Sequence, residues 1–169
     1  MMSQKTMANY HPVILKKPYL EAILVGRKTI ESRLFKTKHS PFGRVRAGDT
    51  LFLKQSSGPV CAIARASAVK NFENLTPEQI IRLKERYNGQ IKGSDEYWQS
   101  KLESKFAFLV WLVKVENIEP VRVNKKDWRA WVILTQQQNF NLLSPNCSDA
   151  AESIEPVRSN KKNGGHRLF

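Results

Sequence analysis

The chain changes hydrophobic period at Gly26, and that change constrains its architecture more than any other feature. Before it, Tyr19, Leu20, Ile23 and Leu24 fall on one side of a helix. Pro18 stands at the first helical position and Gly26 just past the end, so the spacing predicts a helix from Pro18 to about Val25. After it, Ile30 and Leu34 alternate with Thr29, Glu31 and Arg33. A strand places those two sets on opposite faces. Helix, glycine, then a strand with a charged face is the expected layout.

The remaining elements follow from similar punctuation. A loop with Pro41, Gly43 and Gly48 leads to strands at Thr50–Lys54 and Val60–Val69, joined by a turn at Ser56-Ser57-Gly58-Pro59. Alanines at 62, 64, 66 and 68 predict a face where something packs closely, the first helix being the natural neighbour. Thr76-Pro77-Glu78-Gln79 is a capping box that opens a helix stopping by Gly89. Ser94 caps a second short helix carrying Tyr97, Trp98 and Leu102. Phe106–Val115 reads as a central strand and Ala130–Leu134 as the last one. Strands interrupted by a few helices, without alternating βαβ units, predict an α+β barrel.

Three segments result: a disordered lead over 1–9, one folded domain over 10–136, and a flexible polar tail over 137–169. The tail repeats part of the domain. Residues 153–162 match 117–126 at eight of ten positions, including Ile154-Glu155-Pro156-Val157-Arg158 against Ile118-Glu119-Pro120-Val121-Arg122. A local duplication explains this most simply; a segment mimicking the same sheet edge is the sharper reading.

Charge narrows the function classes. The chain carries 28 Lys and Arg against 15 Asp and Glu, a net charge of +13. Nearly all of that excess lies within the expected domain, so it belongs to the folded body. Such a field attracts polyanions and speeds encounters with nucleic acid. Simple solubility is the blander explanation. No apolar run is long enough for a membrane span, and the N-terminus is polar. Two cysteines are too few for a disulfide framework, which makes a reducing cytoplasm the expected compartment.

The stretch Gly26-x-Lys28-x-x-Glu31-x-Arg33 resembles the signature of the ASCH family, and Gly48-Asp49 before Leu51-Phe52-Leu53 extends the likeness. That family belongs to the PUA-like superfamily of small β-barrels that handle RNA or modified bases. The resemblance implies a PUA-like barrel, mixed but mostly antiparallel, with a few flanking helices over about residues 12–135.

The chemistry at this spacing is sensible in its own right. Glu31 and Arg33, two apart on a strand, project to one face about 6–7 Å apart, and Lys28 leans over the same rim. A carboxylate held between cations accepts hydrogen bonds from an exocyclic amine such as that of cytosine or adenine. Arg27, Lys28 or Arg33 would hold phosphate. A purely structural ion pair closing the barrel is the competing reading. From 27 to 46 there are seven basic residues, continuing through Lys36, Lys38, Arg44 and Arg46, against Glu31 alone. That run suits a rim tracking a nucleic-acid backbone, or else a solvated loop. Lys54 and Ser56 would add phosphate contacts. Tyr97 and Trp98 are candidate stacking surfaces, although aromatics on helices are more often core.

Some ASCH proteins hydrolyse the amide of N4-acetylcytidine with a Lys, a Thr and a Glu. Lys28 matches the Lys, but Glu31 stands where the Thr belongs, and Glu73 is a stand-in for the Glu on an uncertain alignment. Other members are ribonucleases, for which Lys28, Glu31 and Arg33 would supply acid–base and stabilising groups. Scattered histidines and dispersed carboxylates predict no metal and no cofactor. The expected partner is RNA, single-stranded or modified DNA, or a modified nucleoside, and not a membrane; oligomeric state stays open.

Overall fold

The computed structural model describes residues 8–123 and 130–134. Most of the expected lead, the tail and the repeat at 153–162 lie outside the described residues. Five strands and three helices follow one another as β1 (Tyr10–Leu15), α1 (Lys17–Leu24), β2 (Ile30–Phe35), β3 (Thr50–Gln55), β4 (Val60–Phe72), α2 (Pro77–Ile91), α3 (Asp95–Lys101) and β5 (Phe106–Val121).

The strands form one mixed sheet in the order β1-β3-β4-β5-β2. Only β1 and β3 run parallel; the other three pairings are antiparallel. The mostly antiparallel α+β expectation holds. The barrel does not close through its backbone: β1 and β2 are the two edges of the sheet and share no ladder. The last expected strand shrinks to two isolated bridges, Tyr10 with Leu134 and Val13 with Trp131. Strand β1 was not foreseen. All of His11, Pro12 and Val13 are buried, so the segment shows no alternation to read.

The helices divide the core in two. Leu20 and Ile23 of α1 pack on Ala62, Ala64 and Ala66 of β4, together with Leu51, Leu53 and Phe108. Small side chains there let the helix approach the sheet, as the alanine run predicted. Ala68 escapes that face because the register slips between Ala66 and Ala68. On the other side α2 and α3 bury Ile80, Leu83, Tyr87, Ile91 and Trp98 against Ile30, Leu34, Ala107 and Leu109. Thr76 accepts from Gln79 N while the Gln79 side chain accepts from Thr76 N, so the capping box forms as read. Gly48-Asp49 also has a structural purpose. Asp49 accepts from His11 Nε2 at 2.7 Å and from the backbone N–H groups of Asn9 and Arg46. Burial pulls the His11 pKa below its ordinary value against the opposing pull of Asp49, so a neutral ring ties β1 to the start of β3.

Candidate functional site

The site lies where the two sheet edges face each other. Gly26 adopts a positive φ of 77° at the end of α1, a conformation that favours glycine. The turn it makes lets the N–H groups of both Arg27 and Lys28 reach Ala22 O at 2.9 Å. Thr29 N then bonds Gln90 O at 3.0 Å, so β2 starts pinned between α1 and the end of α2.

Three charged groups from this segment converge. The Lys28 ammonium donates to Ile30 O at 2.7 Å and Ile91 O at 2.8 Å, and sits 3.2 Å from Glu31 Oε2. All three of its N–H bonds have an oxygen to meet. The other Glu31 oxygen lies 3.0 Å from Arg33 Nε. Arg33 in turn donates through Nη2 to Ile14 O at 2.9 Å, reaching across from β2 to β1, and its guanidinium lies over the Trp131 ring at 5.4 Å. Lys28 and Glu31 are buried, at 4% and 5% exposure, whereas the Arg33 side chain keeps 22%. The Arg33 bond to Ile14 O links β2 to β1, and the ion pairs beside it line a hollow.

That hollow has a volume of about 700 Å³. Tyr19, Tyr97 and Trp131 contribute aromatic surface to it, Lys28, Glu31 and Arg33 its charged side, and Gly93 and Ser94 part of its border. Ser32 Oγ and Tyr97 Oη form a hydrogen bond of 3.0 Å beside Glu31. Burial, with a smaller contribution from the Glu31 charge, pushes the Tyr97 pKa up to about 12. Tyr97 therefore presents a protonated hydroxyl throughout the neutral range.

Of the residues singled out in the sequence, Lys28, Glu31, Arg33 and Tyr97 meet in this cavity and the others do not. Trp98 is no stacking surface: it is 3% exposed, packed between α2 and α3, with Nε1 donating to Asn88 Oδ1 at 2.8 Å. Glu73 stands outside the cavity, exposed and paired with Lys38 at 2.7 Å. Lys36 pairs with Glu103 on the surface. Arg27, Arg44, Arg46 and Ser56 are exposed away from the cavity lining, and Lys54 donates to Gln55 O at 3.2 Å. The cationic loop is thus partly engaged by acids from elsewhere in the chain, Glu73 and Glu103.

Sequence reasoning missed Lys16, Tyr19, Ser32, Lys101 and Trp131 as cavity residues. No local pattern marks them, since they come from separate parts of the chain and meet only through the tertiary fold. Among the described residues, no group of His, Cys, Asp and Glu has the arrangement to hold a metal ion. No helix among them is long and apolar enough to cross a membrane.

Chemically, the arrangement offers a fixed carboxylate. Each Glu31 oxygen lies beside one cation, Lys28 Nζ or Arg33 Nε, with no hydrogen bond from Arg33 Nε among the described residues. A carboxylate has acceptor capacity beyond two such neighbours. A lysine acting as general base needs a free lone pair, and Lys28 has its N–H bonds committed to two carbonyls and a carboxylate.

No family model matches the chain, and no curated protein matches it. Solved structures do. An ASCH protein from Zymomonas mobilis superposes with a TM-score of 0.62 at 16% identity, covering 80% of this chain and 94% of that one. A serine-to-alanine variant of that protein gives 0.61 at 18% identity with the same coverage. A tyrosine-to-phenylalanine variant gives 0.60 at 16%, covering 80% and 97%. The fold is that of an ASCH domain.

Proposed function

We propose that this ASCH-fold chain is a nucleic-acid-binding module of the cytoplasm that takes one unstacked base of RNA or single-stranded DNA into the cavity beside Glu31. One observation carries the reading: a carboxylate clamped between Lys28 and Arg33 lines a hollow with aromatic sides, on a strongly basic molecule. Single-strand recognition combines these parts, with a ring to stack on, a polar group for the base edge, and positive charge for the backbone. The carboxylate accepts from an exocyclic amine, so it favours cytosine and adenine over uracil. Hydrolysis of N4-acetylcytidine in the same place has less support, because the family's Thr is replaced by Glu31 and Lys28 is already engaged.

The test is fluorescence anisotropy with rC8 and rU8, which carry equal charge and differ at the base edge. Binding should weaken with added salt, and rC8 should bind about tenfold more tightly than rU8, one good base contact being worth roughly 1–3 kcal/mol. Undetectable or salt-independent binding would defeat the proposal, and equal affinities would remove Glu31 as the base reader.

A further inference from the structure

Among the described residues, two lysines border the cavity with no acidic side chain paired to them. Lys16 is exposed at the junction of β1 and α1, and Lys101 is half-buried at the end of α3. The other lysine and arginine on the cavity lining, Lys28 and Arg33, are tied to Glu31. Lys101 makes a cation–π contact with Tyr97, 5.6 Å from the ring centroid. Lys16 caps α1 with no side-chain hydrogen bond, and the first turn of that helix holds no acid. The two reach the same hollow from distant parts of the sequence, and Arg33 stands close enough to influence Lys101. Burial first, then the charges of Arg33 and Lys16, lower the Lys101 pKa. Concentrated positive charge of this kind is unfavourable unless something anionic shares it. The acids facing this region are Glu31, already paired, and Glu96, an exposed carboxylate held by its own backbone N–H and by Ser94.

We propose that Lys16 and Lys101, backed by Arg33, form a phosphate-binding site at the cavity, so that the ligand is recognised as a nucleotide and not as a bare nucleoside. The proposal rests on the base-binding reading and adds the group that Glu31 does not see. Phosphate suits the pair: two ammonium groups act as point charges on a tetrahedral anion, with the Arg33 fork beside them. The same chemistry belongs to a free 5′-monophosphate and to an internal phosphodiester, and the two sources are separable by experiment.

Titration calorimetry at low salt with cytidine, 5′-CMP, inorganic pyrophosphate and rC8 makes the test, on the full chain and on the Lys16→Met/Lys101→Met variant. Methionine keeps each unbranched stem, and Lys16→Gln and Lys101→Gln singly guard against misfolding of the double variant. The expected result is 5′-CMP binding about tenfold tighter than cytidine, with the ratio falling to near one in the double variant while cytidine is unaffected. If only rC8 binding depends on the lysines, the phosphate recognised is an internal one. If neither cytidine nor rC8 binds but pyrophosphate does, and loses affinity in the variant, the base reading falls and the phosphate site stands. An unchanged ratio of 5′-CMP to cytidine, with rC8 and pyrophosphate binding equally unaffected by the double variant, overturns the phosphate site and leaves the base reading in place. Absence of binding by all four probes overturns both.

Discussion

Among single residues, Tyr97 couples the cavity to pH most directly. Its hydroxyl shares a hydrogen bond with Ser32 in a buried setting, and its folded pKa of about 12 exceeds the ordinary value of 10.0. Between these values the unfolded chain has lost a proton that the folded one retains, so stability is full below pH 10 and falls as pH rises toward 12. The loss amounts to about 3 kcal/mol. Chemical denaturation from pH 9 to 12 should show that decline, and Tyr97→Phe should flatten it by the same amount. An equal decline in Tyr97→Phe would assign it to other groups. Nothing local in the sequence announces this role, because the partner Ser32 lies 65 residues earlier. The segment from Lys28 to Arg33 differs in being legible on its own. Strand alternation fixes where Glu31 and Arg33 point, and the structure sets them opposite Val110 and Phe108 in register.

At the scale of elements, punctuation is readable in the chain and close approach is hidden. Thr76 and Ser94 declare their helices through cap chemistry that is complete within four residues. Strand β1 declares nothing, because its pairing lies with distant chain, and the strand read over Ala130–Leu134 shrinks to two bridges with it. The α2–α3 joint illustrates the hidden part. Asn88 accepts from Gly93 N at 2.8 Å, donates to Gly93 O at 3.1 Å, and accepts from Trp98 Nε1. A Cβ on Gly93 would lie 2.7 Å from Tyr97 Cδ1 and 2.8 Å from Trp98 Nε1, and neither ring has a flexible end that yields. Gly93→Ala should therefore displace Tyr97 or Trp98 and cost about 1–3 kcal/mol in an equilibrium melt. The Trp98 indole would lose its Asn88 acceptor, so the near-ultraviolet circular dichroism should change as well. Retained stability and an unaltered near-ultraviolet spectrum would mean that the joint has slack.

At the scale of the whole molecule, the expected mixed, mostly antiparallel α+β fold holds, while the sheet stays open and does not close as a barrel. Strands β1 and β2 share no ladder, because the outer edge of β1 pairs with residues 130–134 instead, through Ile14 N to Ala130 O, Val132 N to Pro12 O and Leu134 N to Tyr10 O. Alternation within a strand does not reveal which partner its edge takes. Here side chains bridge the gap. Arg33 spans the seam to Ile14 O, Glu31 holds Arg33, and Trp131 lies under the guanidinium. The side chains that line the hollow and the clasp that links β2 to β1 are thus the same few atoms. Arg33→Met separates the two consequences. It keeps much of the packing on Trp131 but removes the cation, leaving Ile14 O without that donor and Glu31 with Lys28 alone. A partly buried charge pair broken in this way should cost about 2–4 kcal/mol. The distribution of the loss matters more than its size. If the seam is held by this clasp, amide exchange should quicken along Tyr10–Leu15 and Ile30–Phe35, while the antiparallel ladder of β4 with β5 keeps its protection. Uniform acceleration across all five strands would show instead that Arg33 supports the core as a whole, and that the gap between β1 and β2 is kept open by packing elsewhere.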